Sequence, residues 1–221
     1  MIYWDQIDTV FLDMDGTLLD LNFDNHFWLE FVPDRYASLH GLSLEAAQAA
    51  LFPQFKALEG RLEWYCLDYW TRELELDLIS MKQEVAGLID VLPHVIDFLE
   101  HLRGIRKRVV LATNAHPESL ALKMERSCLS RFFDRIVSSR QFGHPKEEMA
   151  FWHALQRHEP FDPERTLMVD DSFPVLRAAR AYGIAHTLAI LKNDSRRPAK
   201  TTEEFPAIHD FSQLIGTQNP Q

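Results

Sequence analysis

Short apolar runs alternate along the chain with longer amphipathic stretches, and each pattern predicts its own element. TVFLDMD (9–15), RVVLATN (108–114), RIVSS (135–139), TLMVDD (166–171) and AHTLAIL (185–191) read as strands. Between them VLPHVIDFLEHLRG, PESLALKMERSCL, EEMAFWHALQRH and SFPVLRAARAYG read as helices. Strands alternating with helices predict a parallel sheet covered by helices. The last helix has terminal signals: Ser172 can cap it, Pro174 fits its first turn and Gly183 can end it.

The alternation breaks after the first strand. Residues 20–92 contain SLEAAQAALFPQFKALEG and RLEWYCLDYWTREL, both helix-favouring, with no convincing strand between them. The predicted fold is therefore α/β: a Rossmann-like, doubly wound parallel core over residues 1–19 and 93–221, with a helical second domain, 20–92, inserted after strand one. KNDSRRPAKTTEEFP (192–206) is polar with two prolines and reads as a loop or mobile connector; FSQLI reads as a final helical turn and GTQNPQ as a frayed end.

Composition narrows the partners. The 221 residues are 46% hydrophobic and 25% charged, enough apolar material for a real core. A formal net charge of -10 argues against nucleic acid or an anionic membrane surface as partner, since both select clustered Lys and Arg. A small anionic substrate stays compatible if a local cation receives it. Cys66 and Cys128 are far apart, without metal-ligand spacing, and read as buried free thiols. With no basic flank before an apolar stretch at MIYWDQIDTV and no long apolar run, the expectation is a soluble cytoplasmic protein.

The polar residues fall where such a fold collects its chemistry. In a doubly wound sheet, ligands bind beyond the carboxyl ends of the strands at the switch point. Three predicted strand ends carry Asp13 and Asp15, Thr113 and Asn114, and Asp170 and Asp171. Right-handed crossovers place strands two and four on either side of strand one, so the three sets converge on one crevice. Carboxylates about 4 Å apart repel by about 4 kcal/mol per pair at an effective dielectric of 20. A hard divalent cation is the simplest remedy, and an all-oxygen set suits Mg²⁺. A zinc site lacks support, because none of the ten histidines has HxxxH spacing or a cysteine at ligand spacing. The bland readings are that Asp15-Gly16 forms a turn and that Asp171 and Ser172 cap the next helix; capping is compatible with metal binding.

DMDGTLLD (13–20), LATNA with Thr113, Lys146 in GHPKEE and VDDS with Asp170 and Asp171 occur in the order of four motifs that resemble the haloacid dehalogenase-like (HAD) phosphatases. The resemblance covers roughly residues 5–20 and 90–192, and the helical insert looks like that family's first-type cap. It implies an Mg²⁺-dependent phosphomonoester hydrolase. Asp13 would be the nucleophile forming an aspartyl-phosphate, and Asp15 the acid and base, with its backbone carbonyl in the metal shell. Thr113 and Lys146 would hold the phosphoryl group, backbone N–H groups near Met14, Asp15 and Asn114 would complete the cradle, and Asp170 and Asp171 would hold the metal, one directly and the other directly or through water.

The stretches TLLDLNFDNHFW, LEWYCLDYW and TNAHP look like the bacterial GMP/IMP 5'-nucleotidases within that family. That likeness implies a purine nucleoside 5'-monophosphate as substrate; aromatic residues of the insert, Trp64 and Tyr65 among them, are candidates to stack on its base over the cleft, and Asp68 to hydrogen-bond it. As i,i+4 neighbours, Trp64 with Asp68 and Tyr65 with Tyr69 also suit simple packing, the expected role of most insert aromatics. Sugar-phosphate or phosphoglycolate phosphatase, phosphoglucomutase-like transferase, and non-catalytic phosphate-binding module remain the alternatives.

Overall fold

The computed structural model describes residues 2–215; GTQNPQ (216–221) lies outside the described residues. Six parallel strands, β1 (Thr9–Leu12), β2 (Arg108–Thr113), β3 (Arg135–Ser138), β4 (Thr166–Asp170), β5 (His186–Ile190) and β6 (Ala207–Ile208), lie in the order β3-β2-β1-β4-β5-β6. This is the doubly wound, Rossmann-like α/β sheet. β1 is central, with Leu12 in register with Leu111 on one side and Val169 on the other. Every residue of TVFL is buried, because both faces of the sheet are covered.

The first five helices, α1 (Asn22–His26), α2 (Val32–His40), α3 (Leu44–Leu58), α4 (Leu67–Leu74) and α5 (Leu78–Glu84), follow β1 directly; a π-helical turn, Phe27–Phe31, joins α1 to α2. The remaining four, α6 (Val95–Gly104), α7 (Pro117–Ser127), α8 (Met149–His158) and α9 (Phe173–Tyr182), alternate with the later strands. Phe98, Leu99 and Met124 join one apolar core on one face of the sheet, and Phe151, Trp152 and Leu176 join another on the opposite face. The helices α1–α5 bury a third cluster around Phe27, Phe55 and Trp70. Where the chain leaves and re-enters the sheet domain it forms a two-stranded neck: Leu92 N–H donates to Leu18 O at 2.9 Å and Asp20 N–H to Asp90 O at 2.9 Å.

Several expectations change. RLEWYCLDYWTREL is helical only from Leu67; residues 61–66 make turns, and Cys66 caps α4 by accepting from Tyr69 N–H. Ser172 stands at the N-cap of α9 without a side-chain cap bond; its own N–H donates to Asp170 Oδ1 at 2.8 Å. Cys66 is buried but Cys128 is exposed. The stretch 192–206 is a loop, yet its first part is pinned rather than mobile: Asn193 and Asp194 are buried, and Asn25 Nδ2 donates to Asp194 Oδ2 at 2.6 Å. β6 follows that loop, two residues long and too short for a periodic signal.

Candidate active site

The switch point at the carboxyl end of β1 gathers the strand-end residues as expected. Asp13 follows β1 and still holds the sheet ladder through its N–H to Val169 O at 3.0 Å. The chain then turns at Gly16, whose φ of +80° suits glycine; a Cβ there would lie 2.8 Å from Asp171 Oδ2. Lys146, between β3 and α8, is buried, and its Nζ donates to Asp13 Oδ1 at 2.5 Å and Asp170 Oδ2 at 2.7 Å. Its backbone is fixed at both ends of the residue: Lys146 N–H donates to Asn114 Oδ1, and Trp152 Nε1 donates to Lys146 O. Asn114 is thus a strut for Lys146. Thr113 Oγ1 accepts from Ala115 N–H at 3.0 Å, which leaves its hydroxyl proton to donate.

Asp13, Asp170 and Asp171 offer three buried carboxylate oxygens within 4.8 Å of one another, a set that could hold a divalent cation. Charge is crowded here. Burial pushes Asp13 up to about 7, opposed by Lys146 and reinforced by Asp170 and Asp171. Burial likewise raises Asp170 to about 6, against Lys146. Burial disfavours the charged Lys146, but the two carboxylates overcome it and hold the ammonium above its ordinary value. Asp171 Oδ2 accepts from Asn193 Nδ2 at 2.7 Å and from Lys200 Nζ at 2.9 Å.

The Asp15 carboxylate lies outside that trio, so its side chain is not among the gathered metal-binding oxygens. It accepts from Lys123 Nζ on α7 at 2.7 Å, and the same Nζ donates to Asp24 Oδ2 on α1 at 2.6 Å. Lys82 Nζ on α5 donates to Asp24 Oδ1 at 2.9 Å. Burial raises Asp15 to about 7, against Lys123 and with Asp24 and Asp13. For Asp24 burial is outweighed by Lys123 and Lys82, which hold it well below the usual carboxylate range.

Above these groups opens a cavity of about 900 Å³, lined by Asp13, Asp15, Thr113, Asn114, Lys146, Asp170 and Asp171 and, from the helical insert, by Asn25, Trp28, Trp64 and Tyr65. Tyr65 reaches the core through its hydroxyl, which donates to Glu147 Oε1 at 2.6 Å, while Asn114 Nδ2 donates to Glu147 Oε2 at 2.9 Å. Trp64 packs against Trp28 with centroids 5.9 Å apart and edge-on to Trp70 at 6.2 Å.

Two expected contacts fall elsewhere. Asp68 is exposed and off the cavity wall; its Oδ2 meets His116 Nε2 at 3.2 Å and Arg140 Nη2 at 3.3 Å. Since α4 begins at Leu67, Trp64 and Asp68 do not share a helix face. Arg140 Nη1 also donates to Cys66 Sγ, so Cys66, Asp68 and His116 come together around a guanidinium as a strap between insert and core. The Met14 side chain is buried in the core, leaving only its backbone for a phosphate cradle.

Sequence reasoning missed Lys123, Lys82 and Glu147; Asp24 was legible only by its place, with Asp20, where the chain enters the insert. A signal was present for the lysines. Leu120, Lys123, Met124 and Ser127 form an i, i+3, i+4, i+7 stripe, as do Leu78, Met81, Lys82 and Val85, so each lysine occupies a position meant for burial.

A parallel sheet with aspartates at the ends of β1 and β4 and a buried lysine between them defines a class of hydrolase. Residues 7–183 match the family model of the haloacid dehalogenase-like hydrolases, and the chain belongs to that family. Over 214 residues it is 40% identical to the GMP/IMP nucleotidase YrfG of Escherichia coli (strain K12), with 97% of this chain and 96% of the relative covered. The same figures hold for GMP/IMP nucleotidase YrfG of Shigella flexneri. Among solved structures, the HAD phosphatase from Thermococcus onnurineus shares the fold at a TM-score of 0.79 and 20% identity, covering 94% of this chain and 96% of the other. Among the described residues no helix is long and apolar enough to cross a membrane.

Proposed function

We propose that the chain hydrolyses purine nucleoside 5'-monophosphates, GMP and IMP foremost, through a phospho-aspartate. The observation that carries the phosphatase chemistry is Lys146 bridging Asp13 and Asp170 on the cavity floor. Asp13 attacks phosphorus as the P–O bond to the sugar breaks, and the leaving alkoxide takes a proton from Asp15. Water then attacks the aspartyl-phosphate while Asp15 takes a proton back, a double duty suited to a carboxyl pushed up to about 7. Lys146 and the Thr113 hydroxyl hold the phosphoryl oxygens. Asp13, Asp170, Asp171 and the backbone carbonyl of Asp15 would hold Mg²⁺, which when bound offsets the charge that carboxylates and phosphate dianion bring together.

The insert, residues 20–92, acts as the cap that reads the rest of the substrate. Phosphate contacts are common to every phosphomonoester, so discrimination must come from groups remote from phosphorus. Trp28, Trp64 and Tyr65 give the cavity wall aromatic surface. Asn25 donates its amide nitrogen to Asp194 Oδ2, which fixes the amide's orientation and leaves its oxygen as an acceptor. A 6-oxopurine presents an N1–H donor there, whereas adenine presents an acceptor; a mismatched polar pair in a buried site is costly. The two free cysteines are in keeping with a reducing, cytoplasmic setting.

The test is kcat/KM for GMP, IMP, AMP, UMP, phosphoglycolate and glucose phosphates in wild type, folded Trp64→Ala and folded Asn25→Leu. GMP and IMP should lead by at least tenfold in wild type, and both variants should narrow that lead. A wild-type preference for a sugar phosphate would sink the nucleotide reading and leave the phosphatase reading standing.

A further inference from the structure

Two lysines, Lys82 and Lys123, are fully buried and have no part in the phosphoryl chemistry above. Burying an ammonium is costly unless partners meet it, so their arrangement calls for a reason. Together they form one alternating row, Asp15–Lys123–Asp24–Lys82, with successive contacts of 2.7, 2.6 and 2.9 Å. The row crosses from core to insert: Asp15 and Lys123 belong to the sheet domain, Asp24 and Lys82 to helices α1 and α5. Phe23 seals it, lying within 5.2 Å of Lys123 Nζ and 4.7 Å of Lys82 Nζ. Two anions and two cations balance, so the row needs no further ion and no ligand to satisfy it.

We propose that Lys123 and Asp24 are positioning residues that hold the Asp15 carboxylate toward the leaving oxygen, and that they do so only while the insert is docked. Three links carry the argument. Lys123 is the only side chain with a direct ion pair to Asp15 among the described residues. Lys123 is itself oriented by Asp24, since its other strong acceptor is Asp24 Oδ2. Asp24, in turn, is bound on its second oxygen by Lys82 of the insert. Displacing α1 and α5 therefore removes one of the two acceptors of Lys123 and releases Asp15 from a fixed geometry. Proton donation depends steeply on such placement, whereas attack by Asp13 depends on Lys146, which makes no contact with this row. The cap thereby gates one half of the reaction: phosphate can enter and be held, but a poor leaving group departs only when the roof is in place.

This rests on Asp13 as nucleophile and Asp15 as acid. The experiment measures kcat/KM, which reports events up to phosphoryl transfer to Asp13, for ring-substituted phenyl phosphates of similar size but different leaving-group acidity. In Lys123→Met and Asp24→Asn, unsubstituted phenyl phosphate should lose about a hundredfold and 4-nitrophenyl phosphate less than about fivefold, because the better leaving group needs less proton donation. Asp15→Asn should steepen the dependence in the same way. If either single variant fails to fold, Asp24→Asn combined with Lys82→Met removes one anion and one cation together and keeps the row neutral; it too should lose more on phenyl than on 4-nitrophenyl phosphate. Folded variants that lose both substrates by the same factor, or that lose neither, overturn the proposal. Failure of the underlying reading shows separately, as turnover that survives in Asp13→Asn or as an Asp15→Asn enzyme with unchanged leaving-group dependence.

Discussion

Two carboxylate–lysine clusters lie side by side at the end of β1, and they differ in balance. Asp13, Asp170 and Asp171 crowd together with one buried lysine, Lys146, and a half-exposed one, Lys200, that reaches only Asp171. Asp15 and Asp24 alternate with two buried lysines, Lys123 and Lys82. Burial acts on the four aspartates of the two clusters whose shifts are resolved; Asp13, Asp170 and Asp15 are raised, Asp15 because it meets a single lysine, and Asp24 alone of the four is lowered, because it has two cations. The unbalanced cluster has room for a further cation, as the proposed Mg²⁺ and phosphate would require; the balanced one is electrically complete. An excess of one charge in a buried site leaves room for an incoming counter-charge, whereas a neutral row fixes the groups within it, Asp15 among them.

The largest effect should come from making the same substitution in each cluster. Asp13→Asn removes the proposed nucleophile and should cut turnover by at least about a thousandfold, while relieving repulsion among crowded carboxylates, so the folded protein should be as stable as wild type or more so. Asp24→Asn leaves buried Lys82 without its carboxylate and Lys123 with only Asp15, and should cost about 3 to 5 kcal/mol of stability. Steady-state rates with denaturant unfolding check both. Loss of stability in Asp13→Asn equal to that in Asp24→Asn would show that the clusters are not different in kind.

Metal and pH sharpen the contrast next. Chelation should stop turnover and Mg²⁺ restore it, with Ca²⁺ a poor substitute because its larger, more flexible shell admits extra carboxylate oxygens. In metal-free protein, Asp13 and Asp15 are pushed up to about 7 and Asp170 to about 6, from an ordinary 3.8. Between pH 4 and 7 the folded state therefore holds protons that the unfolded state has released. Stability should fall as pH rises through that window, by at most about 1.4 kcal/mol per pH unit for each group. Asp24 has the opposite sign: its contribution is in place above its ordinary value and fades only as pH drops below it. Unfolding in EDTA at pH 5, 6, 7 and 8 should show the decline, shallower in Asp13→Asn and offset by Mg²⁺ at pH 8. A flat profile would mean that the crowding is relieved some other way.

The difference between the clusters also explains what was legible. Asp13, Asp15, Thr113, Asp170 and Asp171 could be picked out because polar groups at parallel-strand ends stand next to strong apolar runs, which makes each a local anomaly; Lys146, in the polar loop GHPKEE, was legible only through the order of the family motifs. Lys123 and Lys82 carry only a weaker mark, a place on an apolar helical stripe, and Asp24 only its place at the entry to the insert. What joins them is contacts 58, 99 and 108 residues apart in sequence, which alone reveal the row. Asp68 lies away from the cleft expected of a carboxylate among the insert aromatics, because α4 begins only at Leu67 and His116 and Arg140 draw the side chain to the strap. β6 escaped because pairing with β5, not its own two residues, makes it a strand.

The smallest effect tests a neutral link between insert and core, beside the charged row and the Arg140 strap. Tyr65 OH donates to Glu147 Oε1, and Asn114 holds the other Glu147 oxygen, so a neutral hydroxyl from the insert is tied to the residue beside Lys146. Burial, then the Glu147 carboxylate, raises the Tyr65 hydroxyl well above its ordinary value, so it stays a donor at any working pH. Tyr65→Phe keeps the ring on the cavity wall and removes only this bond. A hydrogen bond to a charged acceptor is worth about 1.5 to 3 kcal/mol, but water admitted at the cavity edge can replace much of it. The expected outcome is a KM for GMP raised about three- to tenfold with kcat within about twofold, since docking is weakened while the Asp15 row remains intact. A fall in kcat with leaving-group dependence as steep as in Asp24→Asn would mean that Tyr65 and the charged row act as one latch, and the division between a balanced fixture and a reactive floor would have to include Glu147 on both sides.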